Sequence, residues 1–140
     1  MKQKILLLIF IGTSAVIFSC QSDQSLSSTD IEAANQFVQD IWQSDFKKAE
    51  KLLLIDETNK QTLDGFAVYY KRKPKEELEK YKSAILILNS VNPLNDSVSI
   101  VNYSPSFNKA EKNELKLVRK NNQWLIDLKY TIPQTDNNQQ

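Results

Sequence analysis

Residues 115–127 read LKLVRKNNQWLID, and this stretch decides the expected fold. Apolar side chains alternate with polar ones on either side of Asn121-Asn122, which is the pattern of two half-buried strands. Asparagine accepts the positive φ angles of a two-residue hairpin turn better than most residues. The stretch therefore predicts an antiparallel hairpin. The face of its last strand that is expected to meet the core carries Trp124, Ile126, Leu128 and Tyr130, while Asp127 is expected on the solvent side.

Two more strands are predicted before this hairpin. Residues 97–103 alternate, and residues 84–91, AILILNSV, form an apolar run continuous enough to be buried on both faces. Residues 93–96, PLND, predict the turn between them, because proline fixes φ and Asn and Asp tolerate tight geometry. Residues 104–112 read as a polar loop. An antiparallel meander of about four strands follows from this pattern.

Amphipathic helices are predicted in front of the strands. Thr29-Asp30-Ile31-Glu32 has the form of a capping box. An apolar stripe at helical spacing follows it, made of Ile31, Ala34, Phe37, Val38, Ile41 and Trp42. Asp45 can cap a second helix that runs through Leu53, and a third helix within residues 56–73 would end at Pro74. Residues 75–82 are a charged lead-in, helical or extended, so the chain is expected to form an α+β domain at residues 29–133.

The first 20 residues have the parts of an export signal: a basic start, a short apolar core and a small residue before Cys20. Ile17-Phe18-Ser19-Cys20 resembles the lipobox of bacterial lipoproteins. That resemblance implies a signal peptide at residues 1–19, acylation of Cys20 and a membrane partner reached through the lipid anchor. For a Gram-negative source it also implies delivery to the outer membrane, because residues 21–22 lack the aspartate that retains lipoproteins in the inner membrane of enteric bacteria. The alternative is an ordinary signal peptide with an incidental cysteine.

Composition restricts the classes of function. Removal of Lys2 and Lys4 with the signal leaves 16 of the 18 basic residues against 17 acidic ones, a net charge of −1. A near-neutral chain argues against a nucleic-acid partner, which would require a basic face. Residues 20–28 read as the lipidated cysteine and a polar tether, and residues 134–140 as a polar tail.

The opening helix, the Ser44-to-Ala49 step into a second helix and the closing 115–127 hairpin resemble small bacterial lipoproteins of the DUF4878 type. These are similar to the NTF2-like (cystatin-like) superfamily, in which helices pack on a bent antiparallel sheet. The superfamily contains enzymes, adaptors and domains without known activity, so the resemblance implies a fold rather than a function.

The residue types argue against catalysis and against bound cofactors or metals. The chain has no histidine, which removes the most common general base and metal ligand. Glu76, Glu77 and Glu79 alternate with lysines and read as a solvated helical face rather than a cation site. Residues 71–75, KRKPK, could contact anionic headgroups. The interpretation favoured by the sequence is a helix end neutralised by the glutamates that follow.

Aromatic residues supply the candidate ligand site. A pocket for a small apolar ligand inside the cone of helices and sheet would be lined by Trp42, Phe66, Tyr69, Tyr70, Trp124 and Tyr130. The same residues could instead form the core of a small domain. The expected function is therefore that of a non-catalytic binding or interaction module in the cell envelope. A small apolar ligand, another envelope protein or a second copy remain open as partners, and an NTF2-like enzyme is the least favoured alternative.

Overall fold

The computed structural model describes residues 29–130. The predicted signal peptide, Cys20 and the tether lie outside the described residues, as do residues 131–133 and the polar tail. Four helices precede four strands and a short 3₁₀ helix, which confirms the predicted α+β class. The helices are α1 Asp30–Trp42, α2 Phe46–Glu50, α3 Glu57–Arg72 and α4 Lys75–Lys82. The strands are β1 Leu86–Asn95, β2 Val98–Pro105, β3 Asn113–Lys120 and β4 Gln123–Asp127, and the 3₁₀ helix is Leu128–Tyr130.

Two helix starts follow the predicted caps at Thr29 and Asp45, and a third helix has a cap, Asp56, that was not predicted. The Thr29 hydroxyl accepts from the backbone N–H of Glu32, and the Glu32 carboxylate accepts from that of Thr29, so the capping box is complete. Asp45 and Asp56 likewise cap α2 and α3 by accepting backbone N–H bonds three residues on. Each cap satisfies a donor that the helix itself leaves unpaired. Helix α2 ends at Glu50, earlier than predicted, because the chain then turns to pair Leu53 with β4.

The sheet is an antiparallel meander in the order β1-β2-β3-β4. The β3–β4 hairpin turns at Asn121 and Asn122, whose φ angles of 51° and 61° confirm the predicted positive-φ turn. Leu117 pairs with Ile126 across this hairpin, and both side chains are fully buried. One face of the sheet therefore carries the core.

Helix α1 crosses this face and contacts all four strands. Its Phe37 and Val38 are each only 2% exposed, whereas Ile31, predicted as part of the same stripe, is 44% exposed. The buried hydrophobic residues all fall between Ala33 and Leu128, so a chain without the signal contains the whole described core.

The prediction for β1 was wrong in two respects. The strand is not buried on both faces as predicted, since Ile85 just before it is 68% exposed and Leu88 within it 41%, and it lies at the edge of the sheet. It also continues through Pro93, where a turn was predicted, and the chain reverses at residues 96–97 instead. Register shifts beside Ser90 and after Pro93 accompany this course. An edge position tolerates proline, because the missing N–H can face away from the neighbouring strand.

Candidate binding site

An aromatic cluster joins the ends of all four helices to β2 and the loop that follows it. The cluster consists of Trp42, Phe46, Tyr69, Tyr70, Tyr81, Tyr103 and Phe107. Tyr81 is its centre, with ring centroids 6.0 Å from Trp42, 6.0 Å from Tyr70 and 5.0 Å from Phe107. These separations are contact distances between aromatic rings. The rings therefore pack against one another.

Local backbone bonds bring these rings together. Helix α3 ends at Arg72, before Pro74, and this places Tyr69 and Tyr70 in its last turn. Ser106 donates its N–H to the Ile85 carbonyl at 2.9 Å, and Ile85 donates its N–H to the Ser106 hydroxyl at 3.0 Å. This pair fixes the loop that carries Phe107 against the end of α4.

Two charged groups enter the cluster. The Tyr81 hydroxyl lies 3.1 Å from each oxygen of the Glu111 carboxylate, which also accepts from the Asn113 amide at 3.2 Å. The Lys73 ammonium lies 4.5 Å from the ring centroid of Tyr69 and 5.2 Å from that of Tyr81. A cation over tyrosine faces is attracted by their π electrons.

Lys73 is held rather than free. Its side chain is only 8% exposed and forms an ion pair with Glu77. Burial alone would lower the pKa of Lys73, but the bonds with Glu77 and Tyr69 outweigh it, so the pKa is raised. The lysine therefore stays charged inside the cluster.

The pKa values of Tyr70, Tyr81 and Tyr103 are raised above the usual range for tyrosine. Burial is the largest cause for each hydroxyl, because the charged phenolate loses solvation. The negative charge of Glu111 acts in the same direction on all three. These hydroxyls therefore keep their protons across the physiological pH range.

Raising the pH above about 10 is expected to destabilise the fold. The unfolded chain then loses its tyrosine protons while the folded chain retains those of Tyr70, Tyr81 and Tyr103, so the unfolded state binds fewer protons and stability falls as pH rises. Phenolate absorbance and circular dichroism, followed together, should show these tyrosines ionising as the fold is lost. Tyr103→Phe should make the alkaline loss of stability less steep. Complete phenolate formation with an unchanged circular dichroism spectrum would contradict this prediction.

The structure brings together half of the predicted pocket residues. Trp42, Tyr69 and Tyr70 belong to the cluster, whereas Phe66 and Trp124 are half-buried and pack against the core. Tyr130 is 62% exposed, because the chain leaves β4 at Asp127 and forms the 3₁₀ helix instead of extending the strand. The prediction that Tyr130 faces the core was therefore wrong.

Sequence reasoning missed four members of the site: Tyr81, Tyr103, Phe107 and Glu111. The alternating pattern places Tyr103 in a strand but does not indicate a role for its side chain. Tyr81 lies in a stretch for which the sequence allows either a helix or an extended chain. Phe107 and Glu111 lie in a loop, where no periodicity indicates a direction. Tyr81 could have been placed near Tyr69 and Tyr70 only if residues 75–82 had been predicted as a helix.

Asp127 was predicted on the solvent side, and the structure corrects this. The residue is 4% exposed, and its carboxylate lies 3.5 Å from the ammonium groups of both Lys116 and Lys129. Cross-strand register places Lys116 beside it on the sheet face opposite Leu117. The 3₁₀ helix then covers this face, with the Tyr130 ring 3.9 Å from the Lys116 ammonium. The alternating pattern of β4 predicts that Asp127 faces solvent, but the 3₁₀ helix that follows the strand buries it.

Within residues 29–130 no helix has the length and apolarity needed to cross a membrane. In comparisons with known proteins, no family model, curated protein or solved structure matches the chain. The resemblance to DUF4878-type lipoproteins and the NTF2-like superfamily therefore stays a prediction, while the α+β architecture stands on the structure itself.

Proposed function

We propose that this protein is lipid-anchored in the bacterial cell envelope, at the outer membrane, and that its folded domain is a non-catalytic binding module. One observation carries the binding role. At the edge of the aromatic cluster, its members Tyr69 and Phe107 are 57% and 45% exposed, and Ile85, which bonds to Ser106 beside Phe107, is 68% exposed. We call Tyr69, Phe107 and Ile85 the apolar rim. Large apolar side chains that gather on a surface are typical of a contact with another molecule.

The acidic groups beside the rim support binding rather than catalysis. Glu111 accepts bonds from Tyr81 and Asn113, and Glu77 pairs with Lys73. A general base must offer a lone pair to a proton of the substrate. These carboxylates are already committed to internal partners.

Two kinds of partner fit the rim. The ring contacts within the cluster favour a partner that lies on the surface, such as a second envelope protein, because a ligand between the rings would have to separate them. A small apolar ligand is the second candidate. The exposed Tyr69 in the rim favours it, since a polar hydroxyl at the edge of an apolar surface can orient such a ligand.

The anchor is tested by Cys20→Ala. Cells given a fatty acid with a clickable tag should incorporate it into the wild-type protein and not into this variant, because the cysteine sulfur is the acceptor. Ser22→Ala, two residues away, is the matched control and should remain labelled and membrane-associated. Labelling of the Cys20→Ala protein would refute the lipoprotein assignment.

The binding role is tested by native mass spectrometry of residues 21–140 after exposure to envelope extract. A bound small molecule or a protein adduct is expected, and Phe107→Ser should remove it because this substitution changes the rim and no fully buried residue. Ile55→Ser is the matched control, since Ile55 is 95% exposed and lies outside the rim. A bare chain, or an adduct that both variants retain, would remove the support for the rim as a binding surface.

A further inference from the structure

The basic stretch at residues 71–75 is not neutralised in the way that the sequence indicates. Each of the three glutamates that follow it pairs with a different lysine. Glu77 binds Lys73, Glu76 lies 3.4 Å from Lys80, and Glu79 lies 3.0 Å from Lys82. Since one of these lysines lies inside the stretch and two beyond it, the acids leave most of the stretch uncompensated.

Three cations of the stretch stay in solvent. Lys71, Arg72 and Lys75 are exposed, and none of the nine ion pairs found between residues 29 and 130 includes them. They lie at the end of α3 and the start of α4, on either side of Pro74. This is a local concentration of positive charge on a domain whose net charge is close to zero.

Exposed apolar groups lie next to these cations. Val68 is 49% exposed and Tyr69 57%. Helical spacing places Val68 beside Lys71 and Arg72, and Tyr69 beside Arg72, because residues three and four apart are neighbours on a helix surface. We call Val68, Tyr69, Lys71, Arg72 and Lys75 the cationic patch.

We propose that the cationic patch docks the domain on the surface of an anionic lipid bilayer. Lysine and arginine near such a surface are attracted to its negative headgroups. Tyrosine is enriched where lipid meets water, because its ring is apolar and its hydroxyl is polar. The combination of free cations with an exposed tyrosine and valine fits this interface better than an acidic protein, which would leave Val68 and Tyr69 without a function.

The patch can reach the membrane to which the proposed anchor holds the chain, and in this respect the inference rests on the proposed function. The eight residues between Cys20 and Thr29 can span at most about 28 Å. Helix α1, with 13 residues, is about 20 Å long. Its far end lies near the last turn of α3, which carries the patch, because Trp42 contacts Tyr81 and Tyr81 contacts Tyr70. The tether therefore exceeds the distance by which α1 separates Thr29 from this end of the domain.

A tethered patch can be effective even when its intrinsic affinity is low. Linkage to the same surface makes docking an intramolecular event, with an effective concentration in about the millimolar range for a short linker. The anchor then sets where the protein is, and the patch sets how the domain is oriented on the bilayer. Lying against the membrane, the patch would place Tyr69, which it shares with the apolar rim, at the lipid surface.

The test is co-sedimentation of residues 21–140 with vesicles of equal parts phosphatidylcholine and phosphatidylglycerol. This chain contains the whole described core and lacks Cys20, so the result does not depend on lipidation. We expect binding that weakens as salt is raised, and little binding to pure phosphatidylcholine. Replacing the cations together, as Lys71→Glu, Arg72→Glu and Lys75→Glu, should reduce the partition coefficient by at least roughly 100-fold, since each lost cation contributes about fivefold and each new glutamate adds repulsion.

The matched control makes the same change of charge elsewhere. Lys47, Lys51 and Lys120 are also exposed and outside the ion pairs of the described residues, so their replacement by glutamate should leave most of the binding intact if the patch is specific. Equal loss in both triple variants, or equal binding to neutral vesicles, would overturn the proposal. Circular dichroism shows whether each variant is folded. Failure here would leave the fatty-acid labelling of Cys20 unaffected, so the anchor and the patch are judged separately.

Discussion

Phe37→Ala is expected to lower the free energy of unfolding by about 3–5 kcal/mol. Phe37 is 2% exposed and belongs to the face of α1 that packs across the sheet. Its replacement removes apolar surface from the core and leaves a cavity that the surrounding strands can fill only in part. Since domains of this size are stable by about 5–15 kcal/mol, the variant should lose a large part of its stability. Urea denaturation followed by circular dichroism measures the change.

Ile31→Ala is the matched control on the same helix. Ile31 is 44% exposed, so its truncation should change stability by no more than about 0.5 kcal/mol. Phe37→Leu should fall between the two, because it retains most of the buried volume. Similar losses for Phe37→Ala and Ile31→Ala would mean that α1 does not pack on the sheet as described.

Features decided by short segments were predictable from the sequence. The capping box at Thr29, the caps at Asp45 and Asp56 and the hairpin at Asn121-Asn122 each depend on residues within a few positions of one another. Their physics is local: a side-chain oxygen meets an unpaired N–H, or an asparagine accepts a positive φ. Asp56 as a cap is a partial case, since the sequence placed a helix within residues 56–73 but named no cap for it.

The burial of β1 was not predictable in the same way. The apolar run before Val91 looks the same at the centre of a sheet and at its edge, because the run reports only that the residues favour strands. In the predicted meander β1 has β2 on one side only, and the apolar run does not indicate how much of it this edge position leaves exposed. In the structure Leu88 and Leu94 of this strand are exposed.

The site depends on contacts across long stretches of the chain. Tyr81 and Glu111 are 30 residues apart and meet only because the loop after β2 returns to the end of α4. The prediction that the glutamates after Pro74 neutralise the basic residues 71–75 failed for a related reason. Counting neighbouring charges shows that a segment is balanced, but it does not show which lysine pairs with each glutamate. The three glutamates after Pro74 form ion pairs with Lys73, Lys80 and Lys82.

The buried carboxylate of Asp127 leads to the second large effect. Its side chain is 6% exposed, and the Lys116 side chain beside it is 19% exposed. Removal of one partner of a buried ion pair typically costs about 3–5 kcal/mol, because the remaining charge lies away from water. Lys129 also approaches Asp127, so Lys116→Met is expected to lower the free energy of unfolding by a smaller amount, about 2–3 kcal/mol. Methionine retains the length of the lysine stem and its contact with the Tyr130 ring.

A double-mutant cycle separates the charge from the packing. Lys116 is the more deeply buried of the two lysines that pair with Asp127. If Lys116→Met destabilises the fold because it leaves the Asp127 charge without this partner, the same substitution should cost much less in an Asp127→Asn background. A neutral amide tolerates burial better than a carboxylate. We expect a coupling free energy of at least about 1 kcal/mol between the two positions. Equal costs in both backgrounds would show that Lys116 acts through its stem alone. The burial of Asp127 would then depend on Lys129 and on the 3₁₀ helix, which the sequence pattern of β4 does not predict.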